Sequence, residues 1–192
     1  MRLFADLWPF GDLPPHSFDF IMADPPWHFD LRSPLGEGKS AQAQYSCMDL
    51  DAIKAMPVLD LAAPDCLLWL WCTHPMVLRQ AEVLQAWGFS FRTSGVWVKT
   101  TKNGKLSFGP GYILRTASEP FLIGVRGEPK TTRSTRSAIL GLAREHSRKP
   151  EEAYSEAEKL MPAARRLELF SRTRRPGWTT WGDEDGKFGD VA

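Results

Sequence analysis

The sequence has few cysteines and histidines, no long hydrophobic run and almost no net charge. Three cysteines, Cys47, Cys66 and Cys72, show neither a C-x-x-C pair nor the even number of a disulfide framework, so we expect free and largely buried thiols. The four histidines are not spaced as metal ligands, and we predict no metal site. No apolar run approaches the roughly 20 residues of a transmembrane helix. The N-terminus lacks the order of a secretory signal, so we expect a cytoplasmic protein.

The remaining composition is that of a globular chain. Hydrophobic residues make up 43% and charged residues 24% of the 192 residues, which excludes a disordered or collagen-like protein. A chain of this length is expected to bury roughly 70% of its unfolded surface in one core. We therefore expect a single domain over residues 1–192, with mobile loops near 28–48 and 99–118.

The net charge of +1 conceals an uneven distribution. Residues 1–98 carry 6 Lys/Arg against 11 Asp/Glu, residues 99–149 carry 11 against 3, and residues 150–192 carry 7 against 9. A basic middle segment between acidic flanks is consistent either with a solvated face or with a surface that follows nucleic-acid phosphates.

Apolar runs and helix-capping patterns alternate along the chain. Six strands are predicted, near residues 18–23, 66–72, 89–99, 120–125, 167–170 and 178–181, with helices after Asp49 or Asp51, from Pro75 to Trp87 and from Pro150 to about Leu160. Residues 126–149 are predicted to be loop with one helical turn near 139–142. This alternation predicts an α/β fold with a mostly parallel sheet and helices on both faces.

The segment Asp24-Pro25-Pro26-Trp27 directly follows a predicted strand. Two prolines remove backbone donors and leave carbonyl oxygens beside a carboxylate, which makes an array of acceptors. The indole of Trp27 adds a flat face on which a base could stack. Such a site suits a planar substrate with an amino group, such as adenine. The alternative is an ordinary proline-rich turn with Trp27 in the core.

The segment also resembles the catalytic motif of the MT-A70-like family of adenine-N6 methyltransferases, and in particular its microbial DNA-methylating members. Further segments match that family in order: Trp97–Thr100, Ser118–Pro120, His146–Pro150, Arg166–Arg172, Pro176–Trp178 and Trp181-Gly182. The resemblance extends over about residues 6 to 184, nearly the whole chain.

The resemblance implies a Rossmann-like fold that uses S-adenosylmethionine to methylate the N6 amine of adenine. The implied catalytic residues are Asp24, Pro25, Pro26 and Trp27, with Asp24 and the Pro25 carbonyl accepting the hydrogens of the amine. Positioning and electrostatics, rather than a strong base, would carry the catalysis. The implied residues for binding the cofactor are Asp6, Asp24, Phe170, Arg172, Asp183 and Glu184.

Substrate contacts are expected from Trp27 and Tyr45 and from the basic residues Lys99, Lys102, Lys105 and Arg115. The resemblance favours DNA as the nucleic-acid partner and allows a homodimer or heterodimer. Two alternatives remain: the same reaction on RNA adenosine, and a noncatalytic relative that only binds nucleic acid. A target adenine inside a duplex would have to be flipped out of the stack.

Overall fold

In the computed structural model, residues 8–28, 47–111, 113–144 and 148–189 are described. Seven strands and three α-helices are present in these residues. The strands are β1 (Phe18–Ala23), β2 (Ala62–Trp71), β3 (Ser90–Thr100), β4 (Ser118–Arg126), β5 (Ala138–Leu142), β6 (Arg166–Leu169) and β7 (Trp178–Trp181). The helices are α1 (Leu50–Lys54), α2 (Val77–Ala86) and α3 (Glu151–Leu160). No helix among the described residues is long and apolar enough to cross a membrane.

The seven strands form one mixed, mostly parallel sheet in the order β5-β3-β4-β2-β1-β6-β7. Strand β4 is antiparallel to both of its neighbours, β2 and β3. The other four pairings are parallel. All strands except β4 therefore end at the same edge of the sheet, as the α/β prediction requires.

The central strands bury both faces because their apolar residues are nearly continuous. In β1, Ile21 and Ala23 face one core cluster, while Phe20 and Met22 face the other. The first cluster includes Ile53 of α1 and Leu84 of α2. The second cluster includes Tyr154 of α3. Helices therefore cover both faces of the sheet, as predicted.

The limits of helix α3 are determined by residues within and next to the helix. Pro150 is its N-cap residue, and Glu151 and Glu152 occupy its first turn, where negative charge is favoured by the helix dipole. Its buried residues are Ala153, Tyr154 and Ala157, which form one stripe against the sheet. The predicted helix from Pro150 to about Leu160 is confirmed.

The first predicted helix is much shorter than its apolar pattern suggested. Helix α1 ends at Lys54, and a separate 3-10 turn covers Val58–Asp60. Pro57 lies between them, and its missing N–H and ring prevent the helix from continuing. Likewise, Pro75 lies in a 3-10 turn, His74–Met76, that precedes α2.

The prediction for residues 126–149 was wrong in one part. The apolar patch near 139–142 is strand β5, which pairs in parallel with β3 at the edge of the sheet. Ile139 and Gly141 point inward, and the indole N–H of Trp97 donates to the Gly141 carbonyl at 2.9 Å. Alternation of buried and exposed residues over five positions is the period of a strand, not of a helical turn.

Candidate active site at the strand ends

The carboxyl ends of β1 and β6 are adjacent. Between these two strands, the chain changes the direction in which it adds strands to the sheet. From β1 the chain builds β2 and then the rest of one half of the sheet, and it later returns to place β6 on the other side of β1. Crevices that bind ligands form at such switch points in α/β sheets. Asp24 follows β1 directly, and its N–H approaches the Leu169 carbonyl at the end of β6, at 3.4 Å.

The two prolines after Asp24 form a tight turn. The Trp27 N–H donates to the Pro25 carbonyl at 2.8 Å, and the Met48 N–H donates to the Pro26 carbonyl at 2.8 Å. Each carbonyl oxygen keeps a second lone pair for a further donor. Trp27 is only 5% exposed and packs in the first core cluster. The predicted stacking face is therefore mostly covered in this structure, and the role of Trp27 stays a prediction.

The carboxylate of Asp24 begins a chain of ion pairs that crosses the site. Its Oδ2 lies 2.7 Å from Nζ of Lys149, and the same Nζ lies 2.7 Å from Oε1 of Glu119. Oε2 of Glu119 in turn lies 3.1 Å from Nζ of Lys99. We call these four residues, Asp24, Lys149, Glu119 and Lys99, the ion-pair chain.

Burial strengthens the attraction between the charges of the ion-pair chain. The side chain of Lys149 is 6% exposed and that of Glu119 is 16% exposed. Charges in such an environment interact more strongly than in water. Burial disfavours the ammonium of Lys149, but Asp24 and Glu119 outweigh that effect and raise its pKa. Lys149 is therefore a permanent cation beside Asp24.

The two carboxylates respond in opposite directions. Burial raises the pKa of Asp24, against the opposing influence of Lys149. Burial also disfavours the charged form of Glu119, but Lys149 and Lys99 on either side hold its pKa below its ordinary value. Glu119 is therefore the firmly ionised carboxylate, and Asp24 is the one closer to accepting a proton.

Lys149 and Glu119 are the site residues for which the sequence suggested no such role. Both lie in segments that resemble the family, His146–Pro150 and Ser118–Pro120. Lys149 also ends the basic segment 99–149, which was predicted to be a solvated face or a phosphate-binding surface. The structure corrects this, because Lys149 is buried and its Nζ lies 5.3 Å from the ring centre of Trp71. The available signal for Lys149 was its place in a segment that resembles the family.

The residues that follow β6 line a cavity with Asp24. Phe170 adopts a left-handed backbone conformation with φ of 62°, which is rare for a bulky residue and marks a constrained turn. Its ring packs edge-to-face on Trp181 at 5.7 Å. Asp24, Lys149, Phe170 and Arg172 line one small cavity. The structure thus brings the predicted Phe170 and Arg172 to the same cavity as Asp24.

Arg172 lies between a carboxylate and an aromatic ring. Its Nε lies 2.8 Å from Oε2 of Glu184, and its guanidinium lies 4.7 Å from the ring centre of Phe188. Glu184, which Lys187 also contacts, has its pKa lowered by these cations. The predicted Arg172 and Glu184 are therefore direct partners, whereas Asp183 is exposed beside them.

A buried carboxyl group also lines this cavity. Glu168 of β6 is 6% exposed and accepts hydrogen bonds from the Tyr154 hydroxyl at 2.6 Å and the Ser171 hydroxyl at 3.2 Å. Burial raises the pKa of Glu168 to about 7. Glu168 and Tyr154 line the same cavity as Asp24.

The remaining predicted residues are placed as follows. Lys102, Lys105 and Arg115 are exposed on the loop between β3 and β4, which joins the two strands that carry Lys99 and Glu119. Asp6 and Tyr45 lie outside the described residues. A larger cavity of about 520 Å³ lies over β2, β3 and β4, and its described lining includes none of the predicted site residues.

The residues around the cavity suit S-adenosylmethionine chemically. Its carboxylate needs a cation, its ammonium and ribose hydroxyls need acceptors, and its adenine needs an apolar face. The cavity offers Arg172 and Lys149, the carboxylates of Asp24 and Glu184 nearby, and the rings of Phe170 and Phe188. Among the described residues, no group of three or more His, Cys, Asp or Glu side chains could hold a metal ion.

Comparisons with known proteins identify the family of this chain. The family model for MT-A70 matches residues 18–184, a span that includes all four members of the ion-pair chain. An N(6)-adenosine-methyltransferase MT-A70-like protein of Arabidopsis thaliana is 32% identical over 173 residues, which cover 88% of this chain and 24% of that protein. The chain thus spans about a quarter of that relative's length.

Two further relatives differ in how much of their length is matched. The type II methyltransferase M.MunI of Mycoplasma sp is 29% identical over 194 residues, with 91% of this chain and 81% of that protein covered. The human N(6)-adenine-specific methyltransferase METTL4 is 30% identical, with 91% of this chain and 39% of that protein covered.

Proposed function

This chain belongs to the MT-A70 family, and on that premise we propose that it transfers a methyl group from S-adenosylmethionine to the N6 amine of adenine in DNA. The match over residues 18–184 supports one catalytic domain with a Rossmann-like methyltransferase fold. The observation that carries the proposal is the position of Asp24, held 2.7 Å from the buried Lys149 at the switch point of the sheet.

Asp24 and Pro25 orient the amine. The carboxylate of Asp24 and the carbonyl of Pro25 accept the two N–H hydrogens, which directs the nitrogen lone pair away from these acceptors. The adenine amine is a poor nucleophile because its lone pair is delocalised into the ring, so its positioning is the main catalytic contribution of the chain. Pro26 fixes the turn, and the indole of Trp27 remains the predicted stacking face for the base.

S-adenosylmethionine supplies an electrophilic methyl group on a sulfonium. When the amine nitrogen bonds to the methyl carbon, the carbon–sulfur bond breaks and the nitrogen becomes cationic. The N–H bonded to Asp24 is then acidic, and its proton leaves through Asp24 or water. The raised pKa of Asp24 brings that carboxylate closer to the range in which it can accept such a proton.

The cofactor would be held along the β6 side of the cavity. We assign its carboxylate to Arg172, its adenosine to the ring of Phe170, and its ribose hydroxyls to Glu184 and the exposed Asp183. Asp6 remains a predicted cofactor contact, and Tyr45 a predicted substrate contact. Lys99, Lys102, Lys105 and Arg115 are assigned to the phosphates and sugars of the nucleic acid.

DNA is proposed because the catalytic motif resembles that of microbial DNA-methylating members of the family. The chain also covers 81% of the type II methyltransferase M.MunI. RNA is the second candidate, because the N(6)-adenosine-methyltransferase relative is 32% identical. DNA and RNA differ at the 2′-hydroxyl, which a binding site can read directly.

The test is methyl transfer from labelled S-adenosylmethionine to matched DNA and RNA oligonucleotides that contain or lack adenine. We expect label on adenine-containing DNA and none on the adenine-free controls. Faster labelling of RNA would assign the enzyme to the second candidate. Cofactor binding without label on any polymer would instead support a noncatalytic protein.

A further inference from the structure

The loop between β3 and β4 exposes an unusual set of apolar side chains beside the site. Over residues 101–111 and 113–117, its exposed large apolar residues are Leu106, Phe108, Ile113 and Leu114, at 57%, 61%, 98% and 80% exposure. We call these four residues the apolar tip. The four residues fall between positions 106 and 114 of one loop, whereas exposed apolar residues on a surface are ordinarily scattered singly, so the loop is a candidate binding surface.

Backbone hydrogen bonds hold this loop in a defined shape. The Ser107 N–H donates to the Lys99 carbonyl at 2.8 Å, and the Thr101 N–H donates to the Lys105 carbonyl at 2.8 Å. Further along, the Gly109 N–H donates to the Thr116 carbonyl at 2.8 Å. These hydrogen bonds close two turns among the described residues of the loop, which lowers the ordering cost when the tip binds.

The loop is also attached directly to the active site. It starts after the strand that carries Lys99 and ends before Glu119, and those two residues form an ion pair at 3.1 Å. From Glu119, Lys149 is the single link to Asp24, with both contacts at 2.7 Å. The base of the loop is thus three ion pairs from the carboxylate that would receive the target amine.

The charge of the loop favours a polyanionic partner. Residues 101–117 contain Lys102, Lys105 and Arg115 and no acidic residue, and the Arg115 guanidinium lies 5.0 Å from the ring centre of Phe108. An isologous contact with a second copy would place this positive charge against itself. A polyanion with apolar surfaces between its charges satisfies both features, and stacked DNA bases within a phosphate backbone have that chemistry.

We propose that the apolar tip is a wedge that enters duplex DNA and fills the space left when the target adenine rotates into the site. This inference rests on the proposed function. Apolar side chains that insert between base steps are used by proteins that unstack DNA, and a base inside a duplex is otherwise out of reach of Asp24. Phe108 is the central wedge residue, since its ring can replace the stacking of the displaced base.

The test compares one adenine-containing DNA oligonucleotide as a single strand and as a duplex, with Phe108→Ala and a matched control. Phe91→Ala is the control because Phe91 is 53% exposed near the start of β3, whereas the loop follows the end of that strand. We expect Phe108→Ala to lower the initial rate at least tenfold on the duplex and less than twofold on the single strand. Phe91→Ala should lower neither rate. An abasic site opposite the adenine should restore the Phe108→Ala rate on the duplex.

Other results of this experiment would overturn either the wedge or the proposed function. Equal losses on both substrates, or no loss on the duplex, would overturn the wedge while leaving the methyltransferase proposal intact. A wild-type protein that labels only single strands would do the same. Size-exclusion chromatography adds a further check, because a wild-type dimer that Phe108→Ala converts to a monomer would make the tip a subunit interface. Absence of label on every wild-type substrate would overturn the proposed function itself.

Discussion

At the scale of single residues, Asp24 is where the proposed chemistry depends on one charge. Asp24→Asn keeps the size of the side chain but replaces an acceptor by an amide that donates. Loss of one preorganised electrostatic contact lowers turnover by about 10²–10³-fold, and we expect a loss of at least that size. Cofactor binding should be affected much less, because Arg172, Phe170 and Glu184 keep their assigned contacts to the cofactor. Turnover on adenine-containing DNA and calorimetric binding of the cofactor measure the two effects separately.

Asp19→Asn is the matched control for Asp24. Asp19 lies on the same strand, β1, and pairs with the exposed Arg165 at 3.0 Å, away from the cavity. The substitution should leave turnover within twofold of the wild type. If Asp24→Asn also stays within twofold, Asp24 does not orient the amine.

Glu168 is a second residue with a measurable consequence. Burial raises its pKa from an ordinary value of 4.5 to about 7, so between these values the native state binds more protons than the unfolded state. The free energy of unfolding therefore falls as the pH rises through this range, and the decrease attributable to Glu168 is complete above about pH 7. Its full size is roughly 3 kcal/mol.

Glu168→Gln removes that contribution while keeping an acceptor for the Tyr154 hydroxyl. We expect the free energy of unfolding of the variant to fall less than that of the wild type between pH 5 and 8, by roughly 2 kcal/mol. Denaturant titrations at a series of pH values measure this difference. Glu152→Gln, at an exposed carboxylate of α3, is the control and should follow the wild type.

At the scale of elements, β3 fits between its neighbours because of one glycine. A Cβ added at Gly95 would lie 2.2 Å from the ring of Phe121 and 2.7 Å from the Ser137 carbonyl oxygen. Phe121 is stacked on Trp69 at 4.0 Å and the carbonyl belongs to the backbone, so neither can move without disturbing the sheet. We expect Gly95→Ala to lower the free energy of unfolding by about 1–3 kcal/mol.

Gly109→Ala serves as the comparison for that substitution. Its added Cβ would meet only a carbonyl oxygen at 4.0 Å, so the free energy of unfolding should change by less than about 0.5 kcal/mol. Urea unfolding of both variants measures the difference. Equal stability of the two variants would mean that β3 can shift to accommodate a methyl group.

Some helices and strands are determined by residues that are neighbours in the sequence, and others by long-range pairing. The limits of α3 and the location of β1 were predicted because their capping residues and apolar runs are contiguous. Strand β5 was missed because its partner, β3, precedes it by about 40 residues, and a five-residue apolar patch does not distinguish a strand from a helical turn. Only the pairing with β3 determines its structure.

The site has the same division between local and long-range information. Asp24 was predicted from four adjacent residues, together with a family resemblance. Its partner Lys149 is 125 residues away and belongs to the basic segment 99–149, which was predicted to be a solvated face or a phosphate-binding surface. The fold assigns it instead to the buried ion-pair chain, which depends on the order of strands in the sheet.

At the scale of the whole molecule, the basic middle segment divides between two edges of the sheet. Lys102, Lys105 and Arg115 lie on the loop beside the site, while Lys130, Arg133 and Arg136 are exposed on the segment that leaves the opposite end of β4. Others are held internally: Arg126 donates to the Leu59 and Ala62 carbonyls. The basic residues of this segment therefore do not form one continuous surface, and we expect only those on the β3–β4 loop to contact phosphates.

Salt dependence of DNA binding tests which edge engages phosphates. Each phosphate contact contributes about 0.9 to the slope of log affinity against log salt for duplex DNA. Lys102→Gln combined with Lys105→Gln should therefore reduce that slope by about 2. Lys130→Gln combined with Arg133→Gln removes the same charge from the opposite edge, so net charge is matched and the slope should remain that of the wild type. Fluorescence anisotropy of a labelled duplex at several salt concentrations gives the slopes. Equal reductions in both double variants would show that the molecule binds through its overall field rather than through the loop beside Asp24.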